Sequence, residues 1–217
     1  MKRLGLIHTS ATLVPVFAEL CARLLPGVDT FNIADDSLIQ EVIRTGELTP
    51  GVTRRVAGQV ESAAAAGADQ ILVTCSSIGV AVERAAALVD VPVLRVDQPM
   101  ADEAVRLGKT IGVAATLSTT LDPTADLIRR RAEKAGKPIT LIDRLCEGAF
   151  EALMSGDAAR HDAMVAEALT QLAAECDVVV LAQASMARVV GQLDASVLAT
   201  PILSSPELAI SHLATLA

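Results

Sequence analysis

The chain repeats itself once, with an offset of about 108 residues in a total of 217. The segment 67–78 aligns with 175–186, and each contains an apolar run followed by small or polar residues. The same spacing, within a residue, pairs Leu4-Gly5-Leu6 with Ile111-Gly112-Val113, Thr9 with Thr116, Leu13 and Pro15 with Leu121 and Pro123, and Pro92 with Pro201. Such a repeat predicts two similar α/β units facing each other. The copies differ where one has Cys75 and the other has Gln183.

Short apolar runs that end in small polar residues predict seven strands, at Leu4–Ile7, Gln70–Thr74, Val91–Val96, Thr110–Ala114, Ile139–Ile142, Asp177–Leu181 and Pro201–Leu203. Helical stretches separate them, at Val14–Leu25, Thr53–Ala66, Val80–Val89, Pro99–Leu107, Pro123–Ala135 and Ala158–Ala174. Pro123 is expected at the first position of its helix, where a missing N–H costs nothing. Continuous apolar strands separated by helices are typical of parallel sheets covered on both faces. The fold class expected is α/β, with two pseudo-symmetric Rossmann-like parallel-sheet domains and a cleft between them.

Composition argues against a nucleic-acid partner. The chain has no Trp or Tyr and only three Phe residues, so it lacks the aromatic rings on which proteins stack bases without sequence preference. Its formal net charge of −8 also repels a phosphate backbone.

Three further features bear on location. The apolar run near the amino terminus spans four residues, whereas a signal peptide needs roughly 7–15. No stretch of about 18 apolar residues runs without a charge, so no membrane span is expected. The four cysteines form no CxxC pair, which predicts a reduced cytoplasmic protein without disulfides or a thiolate metal site.

Polar residues follow the predicted strands, at the carboxyl ends where parallel α/β sheets bind ligands. They are His8, Thr9 and Ser10; Thr74, Cys75, Ser76 and Ser77; Asp97; Thr116 with Ser118 and Thr119; Glu147; and Gln183, Ala184 and Ser185. Small hydroxyl side chains with exposed backbone N–H groups suit a small anion such as a carboxylate. The chain has no GxxxxGK[ST] loop for a nucleoside triphosphate, and no GxGxxG follows a strand.

Cys75 is the candidate for chemistry among these residues. It follows an apolar strand and precedes a predicted helix that Ser76 or Ser77 can cap. A thiol at a helix N-terminus is expected to have a lowered pKa, and its thiolate can abstract a proton α to a carboxylate or attack an electron-poor carbon. The alternative is that Cys75 packs as a small buried hydrophobe.

The run Thr74-Cys75-Ser76-Ser77-Ile78-Gly79, together with the repeat and the Leu4–Ser10 opening, resembles the aspartate/glutamate/hydantoin racemase superfamily over nearly the whole chain. The resemblance implies two pseudo-symmetric α/β domains, a small carboxylate substrate between them and no pyridoxal cofactor, so no cofactor is expected. Racemases of this family use one cysteine from each half, on opposite faces of the substrate carbon.

Carried over residue by residue, the resemblance makes Cys75 the first of these cysteines. It matches Ser76 and Ser77 to the family's carboxylate-binding hydroxyls, and Thr9 and Thr116 to the corresponding strand ends. It also implies that the chain returns to its first domain near its end. The domains expected are residues 1–98 with 205–217, which carry Cys75, and residues 99–204, which carry Gln183.

Gln183 stands where the family's second cysteine is expected. Glutamine neither donates nor accepts a proton as an acid or base at ordinary pH, so racemisation by a cysteine pair is excluded. Gln183 can still hydrogen-bond a substrate oxygen, helped by the N–H groups of Ala184 and Ser185, or it can close a turn as a structural amide. His8 ends the first strand and titrates near neutral pH, so it is predicted as the second proton carrier, ahead of Asp97 and Glu147. A His8 without a role is the alternative.

These observations predict a cofactor-independent isomerase of the racemase or epimerase type, acting on a small carboxylic acid through Cys75 and His8. Two single-cysteine chemistries of the same superfamily stay open: decarboxylation with protonation of an enediolate, and cis–trans isomerisation by thiolate addition. The family's decarboxylases, however, retain the second cysteine rather than the first. A catalytically inactive carboxylate-binding protein is the competing class. The substrate and the oligomeric state, a homo-oligomer included, stay open.

Overall fold

The computed structural model describes residues 1–216 and divides into two compact units. The first unit comprises Met1–Gln98 together with the C-terminal segment that begins at Pro206, and the second comprises Pro99–Ser205. The chain therefore leaves its first unit once and returns to it near its end.

A four-stranded parallel sheet forms the centre of the first unit. Its strands are β1 (Arg3–His8), β2 (Asp29–Ala34), β3 (Gln70–Val73) and β4 (Val93–Arg95). Their spatial order is β2-β1-β3-β4, so the two most buried strands, β1 and β3, lie in the middle. The helices before β4 are α1 (Leu13–Leu24), α2 (Ser37–Thr45), α3 (Pro50–Ala65) and α4 (Gly79–Ala85).

The second unit repeats this plan. Its strands are β5 (Thr110–Ala115), β6 (Thr140–Leu145), β7 (Val178–Leu181) and β8 (Ile202–Ser204), in the parallel order β6-β5-β7-β8. The later helices of the chain are α5 (Gln98–Leu107), α6 (Ser118–Lys134), α7 (Ala149–Met154), α8 (Ala158–Glu175), α9 (Ala187–Val190) and α10 (Ser205–Ala214). The expected α/β fold with two parallel-sheet domains is confirmed.

Both faces of the first sheet are covered, which explains why its two central strands are continuously apolar over Leu4–Ile7 and Ile71–Val73. Leu4, Leu6 and Leu72 pack with side chains of α1 and α10 on one face. Ile71 and Val73 pack with side chains of α2, α3 and α4 on the other. Since successive strand residues point to opposite faces, a run without alternation is what a doubly covered strand requires.

A carboxylate anchors the first strand of each unit at its amino end. Asp69 accepts hydrogen bonds from the backbone N–H groups of Lys2 and Arg3, at 2.7 and 2.9 Å. Asp177, its repeat counterpart, accepts the N–H groups of Lys109 and Thr110, at 2.8 and 2.9 Å. These bonds favour the ionised form and hold the pKa of each aspartate below its ordinary value.

Two expectations about local structure are wrong. Strand β2 is absent from the predicted set because it lies at the sheet edge, where its residues are half-buried or exposed and no apolar run is needed. Pro123 is not the first residue of its helix, since α6 begins five residues earlier at Ser118. Burial of Thr120 and Leu121 holds this first turn in place ahead of the proline. Among the described residues, no helix is long and apolar enough to cross a lipid bilayer.

Candidate active site

Cys75 lies directly beyond the carboxyl end of β3, separated from it by Thr74. Its backbone is extended (φ −136°, ψ 119°), and it occupies the N-cap position of a 3-10 turn, Ser76–Ile78, that leads into α4. The predicted serine cap is therefore wrong: Ser76 and Ser77 are buried inside the turn. Cys75 itself is half-buried and packs against the apolar cluster under α2, α3 and α4.

The thiol of Cys75 resists ionisation in this setting. Burial raises its pKa above the ordinary value, and the negative charge of Asp97 adds to the rise. The Thr9 hydroxyl and the backbone N–H groups of Ser77 and Ile78 act in the opposite direction but do not outweigh burial. The expected lowering of the pKa is thus wrong, because a three-residue turn before a seven-residue helix offers too little dipole to offset desolvation.

His8 is fully buried, and both of its ring nitrogens are engaged within the first unit. Nδ1 lies 2.8 Å from Thr74 Oγ1 and Nε2 lies 2.9 Å from Asn32 Oδ1, while the ring packs on Phe17. Burial lowers the pKa of His8, although the bond to Asn32 opposes the shift, so the neutral ring is favoured near pH 7. This geometry supports the structural alternative, a tether between β1 and its two neighbouring strands, over proton transfer.

The other residues predicted around Cys75 separate into two groups. Thr9 is buried with its hydroxyl beside the sulfur, and Ser76 and Ser77 are buried in the adjoining turn. The Thr74 hydroxyl is engaged in other hydrogen bonds, because it donates to the Ile7 carbonyl oxygen at 3.2 Å and also contacts His8. Ser10 is half-buried and pairs with the Thr12 hydroxyl at 2.7 Å.

Gln183 occupies the equivalent place in the second unit. It lies two residues beyond β7 with an extended backbone (φ −129°, ψ 136°), at the N-cap of a 3-10 turn, Ala184–Met186. Its side-chain oxygen accepts hydrogen bonds from the N–H of Thr116 at 2.6 Å and from the Thr116 hydroxyl at 3.0 Å. Thr116 therefore faces Gln183 as Thr9 faces Cys75. The amide oxygen thus joins the ends of β5 and β7, and the amide nitrogen carries two donors for another partner. Ala184 is half-buried and Ser185 is exposed.

A cluster of three charged side chains, Arg95, Asp97 and Glu83, lies next to Cys75. Only Asp97 is among the site residues that the sequence predicts. Arg95, the last residue of β4, donates from Nε and Nη2 to the two carboxylate oxygens of Asp97, each at 2.7 Å. Its Nη1 donates to Glu83 on α4 at 2.6 Å. Arg95 and Asp97 are 2% and 0% exposed, so this pair lies inside the unit. Burial lowers the pKa of Arg95, but the carboxylates of Asp97 and Glu83 raise it by more. The pKa of Arg95 therefore lies above its ordinary value.

The sequence carries a signal for this cluster. An arginine at the end of an apolar strand, followed two residues later by an aspartate, brings opposite charges within reach of each other in a buried setting, where a charge needs a partner. Asp97 was predicted only as a proton carrier, yet both of its oxygens bind Arg95. Glu147, the other minor candidate, is exposed in the loop after β6.

The remaining cysteines occupy packing positions. Cys21 on α1 and Cys146 after β6 are buried, and Cys176 is half-buried at the end of α8. Burial raises the pKa of all three thiols, that of Cys146 to about 11. Within residues 1–216, no group of three or more His, Cys, Asp or Glu residues is arranged to hold a metal ion.

Comparisons with known proteins agree with this architecture. The family model for Asp/Glu/Hydantoin racemase matches residues 4–213. A protein from Yersinia pestis provisionally assigned as an Asp/Glu racemase superposes with a TM-score of 0.78 at 18% identity, over 100% of this chain and 99% of that chain. Glutamate racemase from Francisella tularensis subsp. tularensis, in complex with D-glutamate, gives a TM-score of 0.72 at 14% identity, over 99% and 80% of the two chains. Allantoin racemase from Klebsiella pneumoniae gives a TM-score of 0.71 at 16% identity, over 100% of this chain and 87% of that chain.

No curated protein sequence matches the chain. At these identities the solved structures show a shared fold, whereas the family model extends over nearly the whole sequence. The chain belongs to the Asp/Glu/hydantoin racemase family.

Proposed function

We propose that this protein is an isomerase of the racemase or epimerase type, acting without a cofactor on the carbon next to the carboxylate of a small acid. The observation that carries the proposal is the placement of Cys75: a half-buried thiol beyond the end of a central strand, beside a threonine hydroxyl and two backbone N–H groups. Family membership supports the reaction class, and a structural relative binds D-glutamate, an acid of the proposed kind.

In the proposed reaction the Cys75 thiolate removes the α-proton, and the electron pair left on carbon moves into the carboxylate to give an enediolate. Return of a proton to the opposite face inverts the centre. Hydrogen bonds from Ser76, Ser77 and Thr9, or from the backbone of the turn, stabilise the developing negative charge on the carboxylate. Since burial raises the pKa of Cys75, the free protein holds mainly the protonated thiol at neutral pH. The rate of proton removal is therefore expected to rise with pH as the thiol ionises.

The second proton carrier is not a cysteine in this proposal. Gln183 is neither an acid nor a base at ordinary pH, and both His8 nitrogens are engaged. Solvent water is the proposed proton source for the opposite face, and the hydroxide left behind takes up the proton that Cys75 removed, which restores the thiolate. The amide nitrogen of Gln183 and the N–H groups of Ala184 and Ser185 stay predicted hydrogen-bond donors, with Thr116 holding the amide in place.

A decarboxylating lyase is the second candidate, and the protonated state of Cys75 favours it. In this reaction a carbon–carbon bond breaks, carbon dioxide leaves, and the electron pair remains on the α-carbon as an enediolate. Cys75 then donates its proton to that carbon and is reprotonated by water. A thiol with a raised pKa suits this donor role. Activity should fall as the pH rises through the pKa of the thiol, because the donor then loses its proton.

Incubation in heavy water with a panel of amino acids, hydantoins, maleate and malonates distinguishes these reactions. The isomerase predicts deuterium at the α-carbon together with loss of optical activity. The lyase predicts release of carbon dioxide and one deuterium in the product. Cys75→Ser should abolish either reaction, while Cys176→Ser, in a packing position, should not. If every compound stays unexchanged and unconverted, the enzyme proposal is wrong and a carboxylate-binding protein becomes the better account.

A further inference from the structure

The ion cluster beside Cys75 exists in one unit of the repeat only. Its charged members are Glu83, Arg95 and Asp97, and the Arg95 guanidinium lies against the backbone of Gly79. The residues 108 or 109 positions later are Ala187, Gly191, Ser204 and Pro206. Strand register supports this alignment, since Val73 pairs with Arg95 in the first sheet and Leu181 pairs with Ser204 in the second. The second unit thus forms the same four-stranded sheet without the cluster, so the architecture does not require it.

We propose that Arg95 is a positioning residue for Cys75, which clamps the turn behind the thiol and neutralises the carboxylate of Asp97 next to it. The proposal deepens the proposed function, because a reactive Cys75 is what gives the clamp a purpose. Its two parts, a mechanical one and an electrostatic one, rest on different contacts.

The mechanical part rests on the contact between Arg95 and Gly79. A Cβ at Gly79 would overlap the Arg95 guanidinium, so the guanidinium lies directly against the backbone where the turn Ser76–Ile78 becomes α4. Asp97 holds the guanidinium through two parallel hydrogen bonds, and Glu83 holds it from one turn further along α4. A planar fork fixed by two carboxylates has little freedom to rotate. Arg95 therefore links the end of β4 to the segment that carries Cys75.

The electrostatic part rests on the position of Asp97, which lies two residues beyond β4 as Cys75 lies two residues beyond β3, in a register that pairs Val73 with Arg95. Its negative charge acts on the Cys75 thiol and opposes ionisation, while the Thr9 hydroxyl and the N–H groups of Ser77 and Ile78 favour it. Helix α2 contributes apolar side chains to the cluster against which Cys75 packs. With Arg95 in place, the carboxylate is paired at both oxygens. Without Arg95, an unpaired buried carboxylate would face the thiol and suppress the thiolate.

Site-resolved alkylation of the full-length protein tests the electrostatic part without any substrate. Iodoacetamide modification of Cys75 is followed by peptide mass spectrometry as a function of pH. At pH 8, Arg95→Met is expected to slow modification on the order of tenfold, since an unpaired charge of like sign disfavours the thiolate. Asp97→Asn should speed it, because the substitution removes a negative charge that opposes ionisation of the thiol. The double variant Arg95→Met/Asp97→Asn should return close to the wild-type rate. Glu83→Gln, which leaves the Arg95–Asp97 pair intact, is the matched control and should change the rate little.

Hydrogen exchange tests the mechanical part. Arg95→Lys keeps the charge but loses the fork, so it should keep an alkylation midpoint close to that of the wild type while the amides of residues 76–79 exchange faster. Equal slowing in Arg95→Met and in the double variant would overturn the electrostatic role, as would an unchanged profile in Asp97→Asn. Unchanged exchange in Arg95→Lys would overturn the clamp. If Arg95→Met does not fold, the alkylation rates of Asp97→Asn and of the double variant still test the electrostatic role. Alkylation and hydrogen exchange need no substrate. The positioning role of Arg95 can therefore be tested even if no substrate is found and the isomerase proposal is wrong.

Discussion

At the carboxyl end of β3 the Thr9 hydroxyl faces the sulfur of Cys75, whereas at the carboxyl end of β7 the hydroxyl and N–H of Thr116 bind the side-chain oxygen of Gln183. Cys75 and Gln183 have nearly the same backbone conformation, and a 3-10 turn follows each of them. The difference at these positions lies in the side chains: a thiol beside a buried ion pair in one unit, and in the other an amide whose oxygen is bonded to Thr116. The two units thus share the backbone of the strand end and differ in its chemistry.

The largest expected effect comes from making the two strand ends chemically alike. Cys75→Gln places an amide opposite Thr9 and removes the thiol that we propose transfers protons. We expect α-carbon exchange in heavy water to fall by about 10²–10⁴-fold, the usual contribution of a general acid or base. Cys75→Ala, which is smaller, should lose as much, and Cys176→Ala should lose little. Retention of exchange in both Cys75 variants would place the chemistry elsewhere.

The next effect concerns the glycine that only the first unit needs. Gly79→Ala forces a methyl group into the Arg95 guanidinium, and we expect it to lower the free energy of unfolding by about 1–3 kcal/mol, as overpacking of a buried site does. Gly58→Ala, in the middle of α3 with open space at its Cβ, is the control. It should raise the free energy of unfolding by about 0.5–1 kcal/mol. Urea unfolding measures both, and equal effects of the two substitutions would contradict the contact with Arg95.

A smaller pair of effects separates the two threonines. Thr9→Val removes a hydroxyl that favours the Cys75 thiolate, so the pKa of the thiol should rise further and its alkylation at fixed pH should slow about fivefold, as loss of ~1 kcal/mol implies. Thr116→Val removes one of the two bonds to Gln183 and should lower the free energy of unfolding by about 1 kcal/mol without changing the alkylation of Cys75. Identical behaviour of the two variants would mean that the strand ends are not functionally distinct.

The smallest effect is one that the two units share. The pKa values of Asp69 and Asp177 are lower in the folded chain than in the unfolded chain. Their contribution to stability is therefore present above the unfolded pKa of about 4 and is lost as the pH falls through the folded values. Asp69→Asn and Asp177→Asn should each lower stability at pH 7 and flatten the fall in stability between neutral and acidic pH. A denaturation series from pH 7 to pH 3 measures this, and a strong effect in only one variant would break the symmetry.

The buried strands of the fold were predictable because a strand covered on both faces must be apolar throughout. Leu4–Ile7 and the run Ile71–Val73 within the predicted strand Gln70–Thr74 meet that condition, and both lie at the centre of the first sheet. Asp29–Ala34 does not, since an edge strand is specified by its backbone pairing with β1 rather than by its composition. Helix α6 was predicted from the wrong residue because tertiary burial of its first turn overrides the preference of proline for a helix start.

By itself the sequence determined the two-unit parallel fold and the difference between Cys75 and Gln183, because both follow from residue type and spacing along the chain, and its motifs carried the resemblance to the racemase family. Only the tertiary structure decided what surrounds those two positions. It raised the pKa of Cys75 through burial, engaged both nitrogens of His8, and brought Arg95 against Gly79. The physical reason is that desolvation and charge pairing depend on distances between residues far apart in the chain, and no local pattern encodes those distances.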